Sequence, residues 1–569
     1  MNNLFCCRLF KVDFLSGSIA LAIGIFFVLA VIYSLKFMQG KKGLIQYYGC
    51  ILLTAIASLG AVFANHLIVL LACWGFLGLP LYLLITMGGD NANAAAKKAF
   101  IIVGGSDALM LLGIAIFYHL TGTFQMDAIR VPLNASVACS CPGEPVLNPH
   151  LFFLAVVSYV CLALASFAKA GAMPLHSWIP DCAESAPAPV VAFLPASVDK
   201  LLGIYLLARI SLHLFTLHEA MHIFLMLIGA LTIIAAVMMA LVQHNMKRLL
   251  GYHAVSQVGY MILGLGTGNP IGIAGGLFHM LNNAIYKSCL FFTAGNVEYR
   301  SGTSELDKLG GLARVMPFTF ISTLIASLSI SGVPPFNGFF SKWMIYQGLI
   351  SQFHAGSYTL RVTSILCLVA AMFGSALTLA SFMKLIHATF LGQRLSEFTN
   401  QRSREVAWSM WLPCVLLAAV CVIFGVFAYQ IPLKYLILPA VSRIAFLGLW
   451  DAGISTALII VALVLGALIM QKWLKAETRE AEAFIGGESI DPERNRVTGI
   501  EFYNTIKEFP VLKRMYWTAE KGFFDIYELG KFIVFGIGKA FQYLHNGVLP
   551  TYLVWVLLGM MGLFWGLLR

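Results

Sequence analysis

The chain reads as an all-α polytopic membrane protein, and three observations carry that reading. Of its 569 residues, 59% are hydrophobic and only 11% are charged, a balance that soluble globular chains do not reach. The apolar residues gather into runs of about twenty, the length that crosses a bilayer. Two of these runs, within 165–209 and 331–346, are interrupted by prolines and glycines with a lysine beside each break.

Taken in order, runs near 14–38, 46–64, 66–88, 97–120 and 150–170 precede the first break. Runs near 188–211, 219–243, 247–267, 271–297 and 314–333 follow, the last with a broken piece at 336–350. Further runs lie at 362–391, 408–431, 451–471 and 550–568. The total is about fourteen spans. The first run is long enough to span and lacks a small-residue cleavage site, so it reads as a retained helix.

Loop charge orients the spans. Lys41, Lys42, Lys97, Lys98, Lys247, Arg248, Arg300, Lys308, Arg314, Arg394, Arg402 and Arg404 fall on one side by this count, which marks that side as cytoplasmic. The amino terminus is then outside, as is the 121–149 loop with its Asn134-Ala-Ser136 sequon. In a soluble chain the net charge of +11 would suggest nucleic acid, but here the basic residues serve orientation, so the expected surroundings are lipid and no nucleic acid. The setting expected is the cell inner (plasma) membrane.

Twelve cysteines are scattered without a CxxC pair or a Cys/His cluster, so no metal or iron-sulfur site is expected. Cys139 and Cys141 are too close in sequence for an easy disulfide with each other. Gly264, Gly266 and Gly268 end a span and follow no strand, which excludes a dinucleotide loop. No cofactor is expected in this chain.

The polar stretch 471–550 opens with mixed charges, Lys475 to Glu482, and then reads as an amphipathic helix from about Val511 to His545. Lys521, Asp525 and Glu528 mark one face, and Phe523, Ile526, Tyr527, Val534 and Phe541 lie nearer the other. Such a helix lies along the membrane or along neighbouring spans; an ordinary cytoplasmic tail is the other reading.

Charged residues at membrane depth are expensive and mark function by default. Lys169 closes the run before the first break, and Asp199 and Lys200 sit in the run after it; Lys342 stands beside the second break, in SGVPPFNGFFSKWMIY. A snorkelling Lys169 with the prolines in a loop is the bland alternative. Two interrupted segments in matching halves point to a transporter built from inverted repeats. Asp107 lies within the fourth run, and His279, Asn283 and Lys287 recur every four residues on one helical face. Lys247 begins a span, where orienting charge alone would place it, while His253 and Gln257 further along favour a path. Buried lysines exchange protons when neighbouring charges move, and a chain of them linked by water is a relay.

The stretches MPLHSWIPDCAESAPAPV, MKRLLGYHAVSQVGYMILGLG, FHMLNNAIYKSCLFFTAGNV and SGVPPFNGFFSK, in this order, resemble the antiporter-like subunits of respiratory complex I, especially the subunit 5 or L type. Mrp-type antiporter subunits and membrane subunits of energy-converting hydrogenases belong to the same family. The resemblance covers roughly residues 10 to 390. It implies two inverted five-helix repeats, each with a broken helix, and a lateral helix before a final span. The division expected is 1–45, repeats at 46–212 and 213–392, added spans at 393–471, a polar and lateral segment at 472–549 and a last span at 550–569. It also implies a proton path of Lys169 and Lys342 at the breaks, Lys287 in the centre, Lys247 linking the halves, His279 as relay and Asp107 near the first site, with Asp199 and Lys200 after the break.

Three positions depart from the family pattern. Trp74 is followed by Gly75 where members carry a glutamate, Asn283 replaces a common second histidine, and Pro195 stands where long-type members often have one. Lys169 thus needs its carboxylate from Asp107 or Asp199. The function expected is a proton- or sodium-translocating subunit of a redox-driven complex, with other membrane subunits and iron-sulfur or hydrogenase subunits as partners. A cation/proton antiporter module or membrane partner of inorganic-carbon uptake, and a structural subunit with a disabled first half-channel, are the alternatives.

Overall fold

The computed structural model describes residues 9–89, 92–133, 149–392, 404–441 and 507–568, together with Tyr503 and scattered positions of 457–468. The sequon at 134–136, Cys139, Cys141, Arg394, Arg402, most of the run at 451–471 and the mixed charges at 475–482 lie outside the described residues. Two compact units are formed, Met1–Lys507 and Glu508–Arg569.

In the first unit the helices are α1 Phe14–Phe37, α2 Leu44–Phe63, α3 Leu67–Thr86, α4 Ala92–Thr121, α5 Pro149–Ala170, α6 Trp178–Ser185 and α7 Ala188–Leu214. They continue with α8 Glu219–Leu241, α9 Met246–Gly266, α10 Pro270–Ser301, α11 Pro317–Ser331, α12 Asn337–Ala355, α13 Tyr358–Leu391 and α14 Trp408–Val426. Among the described residues of both units, ten helices are long and apolar enough to cross a membrane. Of the four expected runs not among them, that at 451–471 lies mostly outside the described residues, and the other three are absent for a physical reason. Helices α9, α10 and α12 carry too many polar residues to qualify, and α11 is short because it is half of a broken helix.

Those polar helices are the centre of the bundle. Every residue of α10 from Ile271 to Val297 is buried, and α9 is buried except at Arg248. The rim helices turn large apolar side chains outward instead, as Leu21, Ile25 and Val28 do on α1, which suits a lipid solvent. Small residues let the inner helices touch: a Cβ on Gly229 of α8 would lie 2.8 Å from the Gly259 carbonyl of α9, as in close-packed membrane helices.

The loops collect at two ends. One holds Lys41, Lys98, Lys247, Arg248 and Arg300, with Asn245 bridged to Glu305 and His244 against Asp307. At the other, Phe10 bridges Ala64, His66 bridges Gln125, and Val131–Pro132 pairs in parallel with Phe215–Thr216. The gathering of described basic residues at one end follows the alternation read from the sequence.

Both expected breaks are present. Gly171 (φ 79°) turns the chain out of α5, and Gly332 (φ 81°) does the same after α11, each in the left-handed region that glycine enters without cost. Beyond the first break, α6 is held by ion pairs of Asp181 with Lys98 at 2.6 Å and Arg248 at 3.1 Å, and of Glu184 with Arg248 at 2.7 Å.

The second unit contains α15 Pro510–Glu520, α16 Ile526–Leu544 and α17 Leu549–Leu567, the last matching the expected final span. The single amphipathic helix expected over 511–545 is two helices. Gly522 (φ 78°) ends the first, and Asp525 starts the second by accepting from the Tyr527 amide at 3.0 Å, an N-cap. Lys521 and Asp525 therefore mark a helix end and a helix start rather than one continuous face.

On α14, Gly425 packs against the backbone of Pro335 and Phe336 at the second break, where a Cβ would collide with the Pro335 carbonyl. Gly425→Leu should sharply lower the yield of folded protein in detergent, whereas Gly24→Leu, on open space, should leave it near wild type by fluorescence-detected size exclusion.

Candidate functional site

A helix that stops inside a membrane leaves carbonyls that must find donors. At the first break, Trp178 Nε1 donates to the Ala168 carbonyl at 2.9 Å and Lys200 Nζ to the Ala170 carbonyl at 3.0 Å. At the second, Lys342 Nζ donates to the Ile330 carbonyl at 2.8 Å. The ammonium groups also sit at the negative ends of α5 and α11, where a cation is favoured. By contact, Lys200 rather than Lys169 is the counterpart of Lys342, a pairing the resemblance did not suggest.

Lys169 faces the other way. Its Nζ donates to the Trp74 carbonyl at 3.4 Å and lies 4.8 Å from the centre of the Trp74 indole. Asp199 and Asp107 are the carboxylates whose charges act on it. Gly75 provides the room: a Cβ there would lie 3.5 Å from Asp107 Oδ2, so the space a side chain would take adjoins the Asp107 carboxylate. Asp107 and Asp199 each keep one buried oxygen without a hydrogen bond among the described residues. Both carboxylates named from the sequence thus reach the first site.

The second half is built differently. Lys287 Nζ donates to the Leu250 carbonyl at 2.9 Å and lies 5.7 Å and 5.9 Å from the rings of Phe382 and Phe291. Lys342 also donates to Ser375 Oγ at 2.9 Å and lies 4.6 Å from the Tyr260 ring. Among the described residues no carboxylate forms an ion pair with either ammonium. All four lysines are at most 2% exposed.

His279 joins this half through Ser341 Oγ at 2.9 Å on Nδ1 and Gln257 Oε1 at 3.1 Å on Nε2, with Tyr286 3.3 Å from Nε2. Asn283, on the same face, has both amide atoms buried without partners among the described residues, a polar site of the kind that ordered water fills.

Lys247 stands apart. It pairs with Glu298 at 2.9 Å and 3.1 Å beside a cavity of about 270 Å³ lined by Lys41, Ser185, Lys247 and Glu298 at the basic end. Its ammonium also lies 3.5 Å from the Ala186 carbonyl of the first half.

Sequence reasoning missed Glu298, Ser341, Tyr260, Ser375 and Lys384. For the last two a signal was present: Ser375, Thr378, Ser381 and Lys384 recur every three residues in an otherwise apolar span.

Taken together, these features define a class: a multi-pass membrane bundle in which two broken helices bracket a buried string of lysines. The chain belongs to the family described as NADH:quinone oxidoreductase/Mrp antiporter, TM, whose model matches residues 64–373. It is similar to Na(+)/H(+) antiporter subunit A1 of Staphylococcus epidermidis, 30% identical over 414 residues, 70% of this chain and 50% of that protein. It is also similar to the chloroplastic NAD(P)H-quinone oxidoreductase subunit 5 of Chaetosphaeridium globosum, 36% identical over 327 residues, 55% of this chain and 47% of that one. The chain thus spans about half the length of the curated relatives it matches. A chain of the membrane-bound sulfane sulfur reductase, an archaeal respiratory membrane complex, shares the fold, with a TM-score of 0.77 at 22% identity over 98% of this chain and 89% of that one.

Replacing Lys200 by Met leaves the Ala170 carbonyl buried and unpaired, which costs on the order of 1–3 kcal/mol. Lys200→Met should therefore lower the thermal unfolding midpoint in detergent more than Lys169→Met, whose one hydrogen bond among the described residues is the long one to the Trp74 carbonyl.

Proposed function

We propose that this chain is an ion-translocating, antiporter-like subunit of a multisubunit membrane complex, and that the ion it moves is the proton or sodium. The observation that carries the reading is the buried file of Lys169, Lys200, Lys287 and Lys342 along the inner helices, with Asp107 and Asp199 at one end of it.

The magnitudes favour a mobile charge over a structural one. Burying an ammonium costs several kcal/mol, and a ring face returns about 0.5–2 kcal/mol. The carbonyl and hydroxyl contacts of Lys287 and Lys342 fall short of a full counter-charge, so the charge state of each lysine follows that of its neighbours. A change at the Lys169 carboxylates reaches Lys200, and through it Lys287. His279 joins the second site, and Lys247, beside the cavity at the basic end, serves as the opening to water there.

In this reading 46–212 and 213–392 are the two repeats, the basic end faces the cytoplasm, and the membrane is the cell inner membrane. A redox-driven complex, in which iron-sulfur or hydrogenase subunits do the electron transfer, is the assembly we favour on the relationship to a quinone oxidoreductase subunit 5. The relationship to a Na(+)/H(+) antiporter subunit favours a second reading, an antiporter module without electron transfer. Co-purification in mild detergent separates them, because only the first brings redox subunits.

In vesicles carrying the intact complex, Lys287→Ala and Lys342→Ala should each abolish ion flux with assembly unchanged; normal flux in either overturns the reading. Asp107→Ala should lower flux, and adding Gly75→Glu should restore part of it, since the new carboxylate starts from a Cβ placed 3.5 Å from the lost one. A structural subunit with a disabled first half would show neither effect.

A further inference from the structure

One buried imidazole has no part in the path described so far. His253 of α9 is fully buried; its Nε2 lies 2.8 Å from Ser381 Oγ, and its Nδ1 has no hydrogen-bond partner among the described residues. Leaving a ring nitrogen dry and unpaired is costly, so a buried histidine of this kind calls for an explanation.

Its surroundings supply one. The ring packs on Phe382 with centroids 4.8 Å apart, and the Lys287 ammonium lies 5.7 Å from the same Phe382 ring. Lys287 also holds the Leu250 carbonyl, one turn before His253 on α9. In the other direction, Ser381 is three residues from Lys384 on α13. The Lys384 ammonium donates to the Leu241 and Gln243 carbonyls at 2.6 Å and 2.9 Å, where α8 ends. Asp307 acts on the Lys384 charge and pairs with His244 at 3.3 Å, both about half exposed at the basic end. The charged groups bearing on His253 are Lys287 from α10, Lys342 from α12 and Lys384 from α13.

We propose that His253, with Ser381 and Lys384, forms a proton branch that joins the central Lys287 to the basic end of the bundle. The proposal rests on the ion-translocating reading and adds to it the route by which the second half reaches water. Lys384 and the exposed His244–Asp307 pair form the mouth, Ser381 hands the proton to the ring, and the ring delivers it to the Lys287 side. An N–H bond forms at one ring nitrogen as one breaks at the other. Ser381 regains its hydroxyl proton from the Lys384 side, and the proton leaving Nδ1 is taken up by Lys287 in its neutral amine form; the ring is left in its second tautomer until it turns over, and nothing is oxidised or reduced. The stripe Ser375, Thr378, Ser381 and Lys384 then has one purpose along its length, since Ser375 already holds Lys342.

The test uses the intact complex in vesicles, with ion flux and assembled yield measured for His253→Asn, Ser381→Ala, Lys384→Met and Lys287→Ala. Asparagine keeps a hydrogen bond to Ser381 but carries no proton, so a purely structural histidine would tolerate it. The expected result is normal assembly of His253→Asn with flux reduced at least about tenfold, and a smaller loss in Ser381→Ala. Flux of His253→Asn within twofold of wild type, with Lys287→Ala inactive, overturns the branch and leaves the ion-translocating reading standing. Normal flux in Lys287→Ala overturns both. Should His253→Asn not assemble, unchanged flux in Ser381→Ala and Lys384→Met overturns the branch.

Discussion

The structure depends on one constraint: a helix interrupted inside lipid must have its last carbonyls paired from within the protein. Here a lysine answers for each break, Lys200 at Ala170 and Lys342 at Ile330. The repair brings an ammonium to the middle of the bundle, so the requirement that stabilises the backbone also installs the charge. Around it the inner helices surrender apolarity, which is why α9, α10 and α12 are too polar to qualify as spans by composition although they lie at the centre.

The two halves then balance charge in different currencies. In the first, Asp199 and Asp107 act on Lys169, and Gly75 leaves the space beside Asp107 open. In the second, carbonyls, serine hydroxyls and aromatic faces surround Lys287 and Lys342. The carboxylates needed at Lys169 in place of a residue at Gly75 are Asp107 and Asp199, whereas among the described residues no carboxylate pairs with Lys287 or Lys342.

Much of this was legible in the sequence because membrane chemistry is one-dimensional at first pass. Span length, the Gly-Pro interruptions and the lysines beside them depend on local composition, and the breaks at Gly171 and Gly332 fall where those cues stand. What stayed hidden depends on which helices touch. The cap of α5 comes from Lys200, thirty residues on, and no pattern within either segment predicts that pairing. Serines such as Ser375 and Ser381 look inert in an apolar run until a lysine or a histidine is set against them. The partners of Lys247 are hidden in the same way: Glu298 of the second half and the Ala186 carbonyl of the first both meet its ammonium, and neither stands near it in the sequence. At Gly522 the amphipathic period was read through a residue whose backbone turns the chain.

The proposed ion path requires Lys169, Lys200, Lys287 and Lys342 to share one continuous polar axis, of which only Lys200 and Lys342 also cap broken helices. A structure of the assembled complex in lipid, at a resolution that places water, tests it most directly. Ordered water should join Lys169, Lys200, Lys287 and Lys342, with water beside the Asn283 amide and beside the Asp107 and Asp199 oxygens that have no hydrogen-bond partner among the described residues. A dry seal of apolar side chains between Lys200 and Lys287 would contradict it.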